Sequence, residues 1–159
     1  MTFTVKPATN DIKQAMDILI KQLKNQPRTL EGGFWHKLIY QHQMWLDGLY
    51  MASPFMAQYG AEFNKPEWID EAVKQFRLCH KHTYDAKTGL YHHAWDESKS
   101  QRWANPETGH SPNFWGAQYR LVVYGAGRCF GLYNPKIIRD VRHDWLYPRI
   151  GGDIAEISG

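Results

Sequence analysis

The stretch HQMWLDGLYMASPF, residues 42–55, is apolar on nearly every face of a helix and contains one carboxylate, Asp47. The pattern predicts an inner helix from about Gln43 to Tyr59, kinked or broken at Pro54. An ionised carboxylate is costly to bury, so Asp47 must either find hydrogen-bond donors or take up a proton. Asp47 therefore either caps or braces a neighbouring loop, or is held ready to act as a general acid.

Two further helices are predicted from spacing and end signals. The first begins near Thr9 or Asn10, carries apolar residues at helical spacing and ends at residues 25–27, Asn-Gln-Pro. The third begins at residues 64–67, Asn-Lys-Pro-Glu, which supply a cap, an early proline and a first-turn acid, and it ends near His82.

Between and after the helices the chain reads as long loops. Residues 85–89 predict a turn, and the polar, aromatic stretch that follows it to Asp96 predicts a loop. Residues 111–113, Ser-Pro-Asn, predict the start of another helix. Paired helices joined by long loops favour an all-α array of helical hairpins.

Composition narrows the class of protein. The 159 residues suit one domain, and the seven Trp and nine Tyr either fill a core or offer faces to a ligand such as a sugar. A net charge of +3 with scattered basic residues argues against nucleic acid as a partner.

Cys79 and Cys129 form no disulfide framework, and Cys79 is expected to be a buried thiol. No signal peptide or membrane span is evident, so we expect a cytoplasmic protein with no membrane partner.

Four motifs occur in order: EGGFWHK (residues 31–37), HQMWLDGLYMASPF (42–55), KTGLYHHAWDES (87–98) and WANPETGHSPNFWG (103–116). Together they resemble glycoside hydrolase family 105, the unsaturated rhamnogalacturonyl hydrolases, which are related to unsaturated glucuronyl hydrolases. The resemblance implies an α/α-barrel of six helical hairpins. Because the chain is less than half the usual family length, we expect residues 1–116 to form only a fragment of that barrel.

The resemblance also implies a substrate and a reaction. The family acts on disaccharides or short oligosaccharides whose terminal uronate carries a C4=C5 double bond. Asp47 falls on the family's catalytic position, where an Asp protonates C4 and water adds to C5. The resulting hemiketal opens and releases the neighbouring sugar, typically rhamnose. This chemistry differs from the two-carboxylate scheme of ordinary glycosidases.

Other positions match residues that line the family's substrate pocket. Lys37 would offset the uronate charge, His93 would hydrogen-bond a hydroxyl or the water, and Trp115 would stack on a sugar ring. From residue type alone, they could equally be an exposed lysine, a loop histidine and a core tryptophan. Three further candidates for the same pocket are His36, His42 and Trp45.

The chain departs from the family in two places. The family has a second Asp, in an upstream L-D-x-I-N-x-G motif that residues 1–10 do not contain. It also follows FWG with R-x-x-G-W, whereas Ala117 occupies the Arg position here. A one-base shift of the reading frame from Ala117 recovers R-S-I-G-W-W-x-M-A-L-V-D-V-L-D, the amphipathic helix of the family. We therefore predict that residues 117–159 are out-of-frame translation without functional meaning.

Three classes of function remain in competition. The first is a hydrolase with Asp47 as general acid and base. The second is a non-catalytic remnant that keeps the family's motifs without a working pocket. The third is a metalloprotein using His80, His82, His92 and His93, which lack the helical spacing and acidic partner of zinc sites. We expect neither a metal ion nor another cofactor.

Overall fold

The computed structural model of the chain describes residues 9–114. Within this range three helices alternate with four short strands and longer loops. In chain order the elements are α1 (Asn10–Lys24), β1 (Gln43–Trp45), α2 (Leu46–Glu62), α3 (Pro66–Thr83), β2 (Tyr84–Asp85), β3 (Leu90–Tyr91) and β4 (Ala94–Asp96). Residues 111–114, where another helix was predicted to start, are not helical, and Phe114 instead forms an isolated antiparallel bridge with His92. The rest of that predicted helix and the predicted out-of-frame tail, residues 117–159, lie outside the described residues. No helix in the described range is long and apolar enough to cross a membrane.

Helix α1 has the bounds that its end signals predict. It begins at Asn10 and ends at Lys24, where the N–H of Asn25 donates to the carbonyl of Gln22 and the N–H of Gln26 donates to the carbonyl of Leu23. Its apolar face is unevenly covered, because Ile20 is buried while Ile18 is 68% exposed. This helix therefore packs against the described part of the chain along one edge of its apolar face.

The start of α2 differs from the prediction. Residues Gln43–Trp45 form β1, which pairs antiparallel with β4, and the helix begins only at Leu46. A short buried strand and a buried helical turn share the same apolar pattern, and β4 lies far along the chain, so the sequence pattern missed the pairing. The predicted break at Pro54 is also wrong, since α2 continues through Pro54 to Glu62.

Helices α2 and α3 form a closely packed hairpin. Pro66 and Glu67 start α3 as predicted, and the helix ends at Thr83. Met56 and Phe76 are buried in the core that the two helices share. A Cβ added at Gly60 would lie 2.7 Å from Cγ1 of Ile69 and 2.8 Å from the carbonyl oxygen of Lys65. Glycine at this position therefore permits the close approach of the two helices.

The predicted buried thiol is confirmed. Cys79 on α3 is a free cysteine inside the hydrophobic core. Burial disfavours the thiolate and raises the pKa of Cys79 to about 12. This thiol is therefore a packing group and an unreactive one at neutral pH.

The loop after α3 is more ordered than the sequence predicts. The turn at residues 85–89 is confirmed and joins β2 to β3, but β3 and β4 lie in the stretch predicted as a loop. Asp96, fully buried at the end of β4, accepts hydrogen bonds from the N–H groups of Ser98 and Gln101, both at 3.0 Å. The Ser98 hydroxyl donates to the same carboxylate at 2.7 Å. Asp96 thus fixes the chain that leaves β4.

Candidate active site

Asp47 lies in the first turn of α2, directly after β1, and its side chain is half-buried. The N–H of the preceding residue, Leu46, donates to the carbonyl of His93 at 3.2 Å. His93 itself directly precedes β4, the strand that pairs with β1. The β1–β4 ladder therefore brings the start of α2 and the His93 loop together, although 46 residues separate Asp47 from His93.

Trp45 lies at the centre of a group of rings. Its indole is 4.8 Å from the imidazole of His36 and 5.0 Å from the ring of Tyr40, nearly parallel to both, with angles of 5° and 6°. The imidazole of His93 meets the same indole edge-on, at 5.0 Å and 63°. The structure therefore brings three of the predicted site residues, His36, Trp45 and His93, into one cluster.

The electrostatics of His36 show which charged groups surround it. Burial lowers the pKa of His36, and the positive charges of Lys37 and His93 lower it further, while the negative charge of Asp47 acts in the opposite direction. His36 is therefore held mainly as neutral imidazole at neutral pH. These interactions place Lys37, Asp47 and His93 within electrostatic range of one ring.

His36 also fits closely against α2. A Cβ added at Gly48 would lie 2.8 Å from Nδ1 of His36, so a larger residue at this position would collide with the imidazole. That Nδ1 is buried and has no hydrogen-bond partner among the described residues. This ring nitrogen therefore faces α2 and is closed to solvent.

Lys37 and His42 lie outside the ring cluster, which consists of His36, Tyr40, Trp45 and His93. Lys37 is exposed, with its ammonium 5.7 Å from the centre of the Tyr40 ring. His42 is exposed too, and its ring packs against Trp35 at 4.7 Å while its Nδ1 lies 3.6 Å from a carboxylate oxygen of Glu97. Lys37 thus borders the cluster, whereas the partners of His42 belong to a neighbouring group. Trp115 lies outside the described residues.

A cavity of about 440 Å³ adjoins the cluster. It is lined by His36, Lys37 and Trp45 and, for the rest, mainly by apolar side chains of α1 and α2, whereas Asp47 and His93 are not among its lining residues. Two further buried polar atoms without partners in the described range, Nε1 of Trp35 and Oγ of Ser53, belong to residues that line it. The cavity therefore lies beside the carboxylate and shares one wall of the ring cluster.

Three residues of this site were missed by sequence reasoning: Tyr40, Gln43 and Gly48. Gln43 and Trp45 alternate along a strand, which places both side chains on one face, but the region was predicted to be helical. Recognising β1 would have supplied the signal. Tyr40 and Gly48 carry no spacing signal that distinguishes them from loop and helix residues.

The histidines of the metal hypothesis are engaged in other contacts. Nδ1 of His80 lies 2.7 Å from the hydroxyl of Tyr91, Nε2 of His82 lies 2.9 Å from a carboxylate oxygen of Glu31, and Nδ1 of His92 lies 2.7 Å from the carbonyl of Ser111. Across residues 9–114, no three His, Cys, Asp or Glu side chains gather as a metal site would require. The described structure therefore gives the metal hypothesis no support.

Comparison with known proteins agrees with the motifs. The sequence profile of Glycosyl Hydrolase Family 88 matches residues 2–119. Protein Atu3128 of Agrobacterium fabrum is 48% identical over 65 residues, which are 41% of this chain and 28% of that protein. The unsaturated rhamnogalacturonyl hydrolase YesR of Bacillus subtilis is 32% identical over 79 residues, 46% of this chain and 23% of that protein.

A solved structure shows the same fold. The family 105 glycoside hydrolase of C. acetobutylicum is similar with a TM-score of 0.75 and 40% identity, over 85% of this chain and 40% of that one. The prediction of an all-α fragment of an α/α-barrel is thereby confirmed, as is the resemblance to family 105. The matched segments span about a quarter of the curated relatives' length. With its profile matched over residues 2–119, the chain belongs to Glycosyl Hydrolase Family 88.

Proposed function

We propose that the chain acts on unsaturated uronyl oligosaccharides and hydrates the C4=C5 bond of their terminal uronate, with Asp47 as general acid and base. The observation that carries the proposal is the arrangement at the start of α2, where Asp47 lies two residues after Trp45, which packs against both His36 and His93. The name of YesR, an unsaturated rhamnogalacturonyl hydrolase, supports this substrate class.

The proposed reaction begins at the double bond. The Asp47 carboxyl gives its proton to C4, which forms a C4–H bond and leaves positive charge shared between C5 and the ring oxygen. Water then adds to C5 and returns a proton to the Asp47 carboxylate. The hemiketal so formed opens by breaking the bond between C5 and the ring oxygen, and the neighbouring sugar leaves from C1 as an alcohol.

The surrounding residues have roles that suit this substrate. The exposed ammonium of Lys37 would pair with the uronate carboxylate. The half-buried indole of Trp45 offers an apolar surface to a sugar ring, and the imidazole of His36, parallel to it at 4.8 Å, supports the indole. His93, at the edge of the indole, would orient the water or a sugar hydroxyl.

A second candidate is a non-catalytic remnant of such an enzyme. Two observations favour it. The chain corresponds to 40% of the solved family 105 structure, and Asp47 does not line the adjoining cavity. Under this alternative the cluster forms but binds no substrate in a reactive position.

The two candidates are separated by a direct assay. The chain is incubated with an unsaturated rhamnogalacturonan disaccharide while the ultraviolet absorbance of the C4=C5 bond is followed. We expect the absorbance to fall only slowly, because the chain corresponds to 40% of the solved family 105 structure. Asp47→Asn should reduce this rate by about 10²-fold or more, as for loss of a general acid. Asp70→Asn, at an exposed position of α3, is the matched control and should leave the rate unchanged.

Three results would contradict these expectations. A folded chain that leaves the absorbance unchanged would establish the remnant, and turnover that survives in Asp47→Asn would remove Asp47 from its role. Turnover that a chelator abolishes would revive the metal hypothesis.

The proposal extends to the rest of the chain. Residues 117–159 are out-of-frame translation of the codons for the next family helix, and the chain works in the cytoplasm. Genomic DNA reads across the codons for Gly116 and Ala117 test the first statement. An intact reading frame that encodes the same tail in close relatives would overturn it.

A further inference from the structure

We propose that Gln43 is a positioning residue of this site, because its side-chain amide fixes the indole of Trp45 against His36 and His93. The geometry stands independently of turnover, whereas the catalytic importance of Gln43 rests on the proposed function. The sequence motifs assigned no role to this glutamine.

The contacts of Gln43 reach both sides of the cluster. Its side chain is on the same face of β1 as Trp45, and its Oε1 accepts a hydrogen bond from Nε1 of Trp45 at 3.0 Å. Its backbone carbonyl accepts the N–H of His36 at 2.8 Å. One residue thus holds the indole through its side chain and the histidine loop through its main chain.

Burial explains why this contact is a strong constraint. Gln43 is only 2% exposed, so an amide without a partner here would be costly to bury. An indole has two side-chain torsions, and a hydrogen bond to its N–H selects among the orientations that they allow. The ring that Gln43 selects is parallel to His36 and meets His93 edge-on.

The orientation of the indole affects how easily His36 is protonated. Trp45 covers one face of His36, and the charged groups that act on His36 are Lys37, Asp47 and His93, from its own loop, from α2 and from the segment before β4. If the indole turns away, water reaches His36 and its protonated form becomes easier to make. Loss of the Gln43 amide should therefore change the titration of His36 without removing any charged group.

The test compares Gln43→Met with Thr83→Val in the full chain. Gln43→Met keeps the length of the side chain and removes the acceptor. Thr83→Val removes another buried hydrogen bond, from the Thr83 hydroxyl to the Cys79 carbonyl at 2.7 Å, at the C-terminal end of α3 and outside the ring cluster. Histidine ring resonances are followed by NMR as pH is varied, with His36 assigned through His36→Gln. The indole N–H of Trp45 is assigned through Trp45→Phe.

We expect Gln43→Met to raise the titration midpoint of His36 and to move the Trp45 indole resonance, and Thr83→Val to move neither. Trp45→Phe removes the same hydrogen bond from its other end, so it should raise the His36 midpoint even if Gln43→Met fails to fold. Adding Gln43→Met to Trp45→Phe should then cause no further shift.

Three results would overturn the proposal: an unchanged His36 midpoint in folded Gln43→Met, an equal shift in Thr83→Val, or an unchanged midpoint in Trp45→Phe. Because none of these measurements needs substrate, an inactive chain would contradict the proposed function and leave the role of Gln43 intact.

Discussion

The hairpin of α2 and α3 and the helix α1 all carry apolar residues that need a covering surface, but these residues are covered very differently. In the hairpin, Met56 and Phe76 are buried by the facing helix. On α1, Ile20 is buried, yet Leu19 beside it is 46% exposed. Periodicity thus identifies the face of a helix that some surface must cover, while the partner itself has to be present for the burial to occur.

The candidate site lies at the border between these two regions. The loop that carries His36 runs from the end of α1 to β1, and the side-chain amide of Gln26 holds it by donating to the Trp35 carbonyl at 2.7 Å. On its other side the loop packs against the first turn of α2, where Gly48 has no side chain that would collide with the imidazole of His36. The ring cluster therefore depends on the well-packed hairpin for one wall and on the less covered region for the other.

The comparison predicts a large difference between two truncations to alanine. Phe76→Ala, at a side chain 1% exposed in the hairpin, should lower the free energy of unfolding by about 3–5 kcal/mol, because it leaves a cavity. Leu19→Ala, on α1, should change it by about 0.5 kcal/mol or less. Urea denaturation followed by circular dichroism measures both. Equal losses would show that α1 is as well covered in solution as the hairpin.

Two glycine substitutions sharpen the same contrast. Gly60→Ala places a methyl group against the Lys65 backbone carbonyl and Ile69, so we expect it to cost about 1–3 kcal/mol of stability by overpacking. Gly48→Ala meets the side chain of His36, which is able to move. It should therefore cost less but shift the ring resonances of His36 and Trp45. A Gly48→Ala chain with unchanged resonances would show that His36 does not rest on α2.

Stability should fall as pH is lowered from 7 to 5. Burial lowers the pKa of His80 on α3, and it lowers that of His36 in the loop. The unfolded chain then binds protons near the ordinary histidine pKa, about 6.5, that the folded chain does not, so folding loses free energy as pH falls through this range. Urea midpoints against pH measure the loss, and His80→Gln should make it smaller. A slope that this substitution leaves unchanged would contradict the assignment to His80.

The smallest effect is expected at the contact between α1 and α2. The hydroxyl of Tyr59 donates to a carboxylate oxygen of Asp17 at 2.7 Å, and this hydrogen bond, with burial, raises the pKa of Tyr59 to about 12. Tyr59→Phe should speed amide hydrogen exchange in α1 while the amides of α3 keep their protection. The contribution of this hydroxyl is present below about pH 10 and is lost as pH rises towards 12. Faster exchange throughout the chain would instead make the contact part of the global core.

The sequence predicted the parts of the fold whose signals are local. The start of α3 at Pro66 and the end of α1 before Asn25 follow from caps and proline, which act within one helical turn. The strand β1 was missed because its partner, β4, is about fifty residues away and the apolar pattern of β1 also suits a helix. Pro54 did not end α2, because packing against α3 outweighs one missing backbone hydrogen bond.

The candidate site also has parts that the sequence predicted and parts that it did not. The motifs pointed to His36, Trp45 and His93, and the structure brings these three together. Spacing alone did not predict the grouping, since it arises from the β1–β4 pairing. Gln43 was missed for the same reason, because its hydrogen bond to Trp45 exists only when both residues are on one face of a strand.

The pairing of Gln43 with Asp96, and of Trp45 with Ala94, has one more consequence. Side chains alternate across a strand, so a slip of this ladder by one residue would exchange its two faces. The indole would then turn towards the core and Met44 would take its place beside the histidines. Deleting Met44 would place Gln43 and Trp45 on opposite faces of β1, and it should therefore dismantle the ring cluster while leaving every one of its members in the chain.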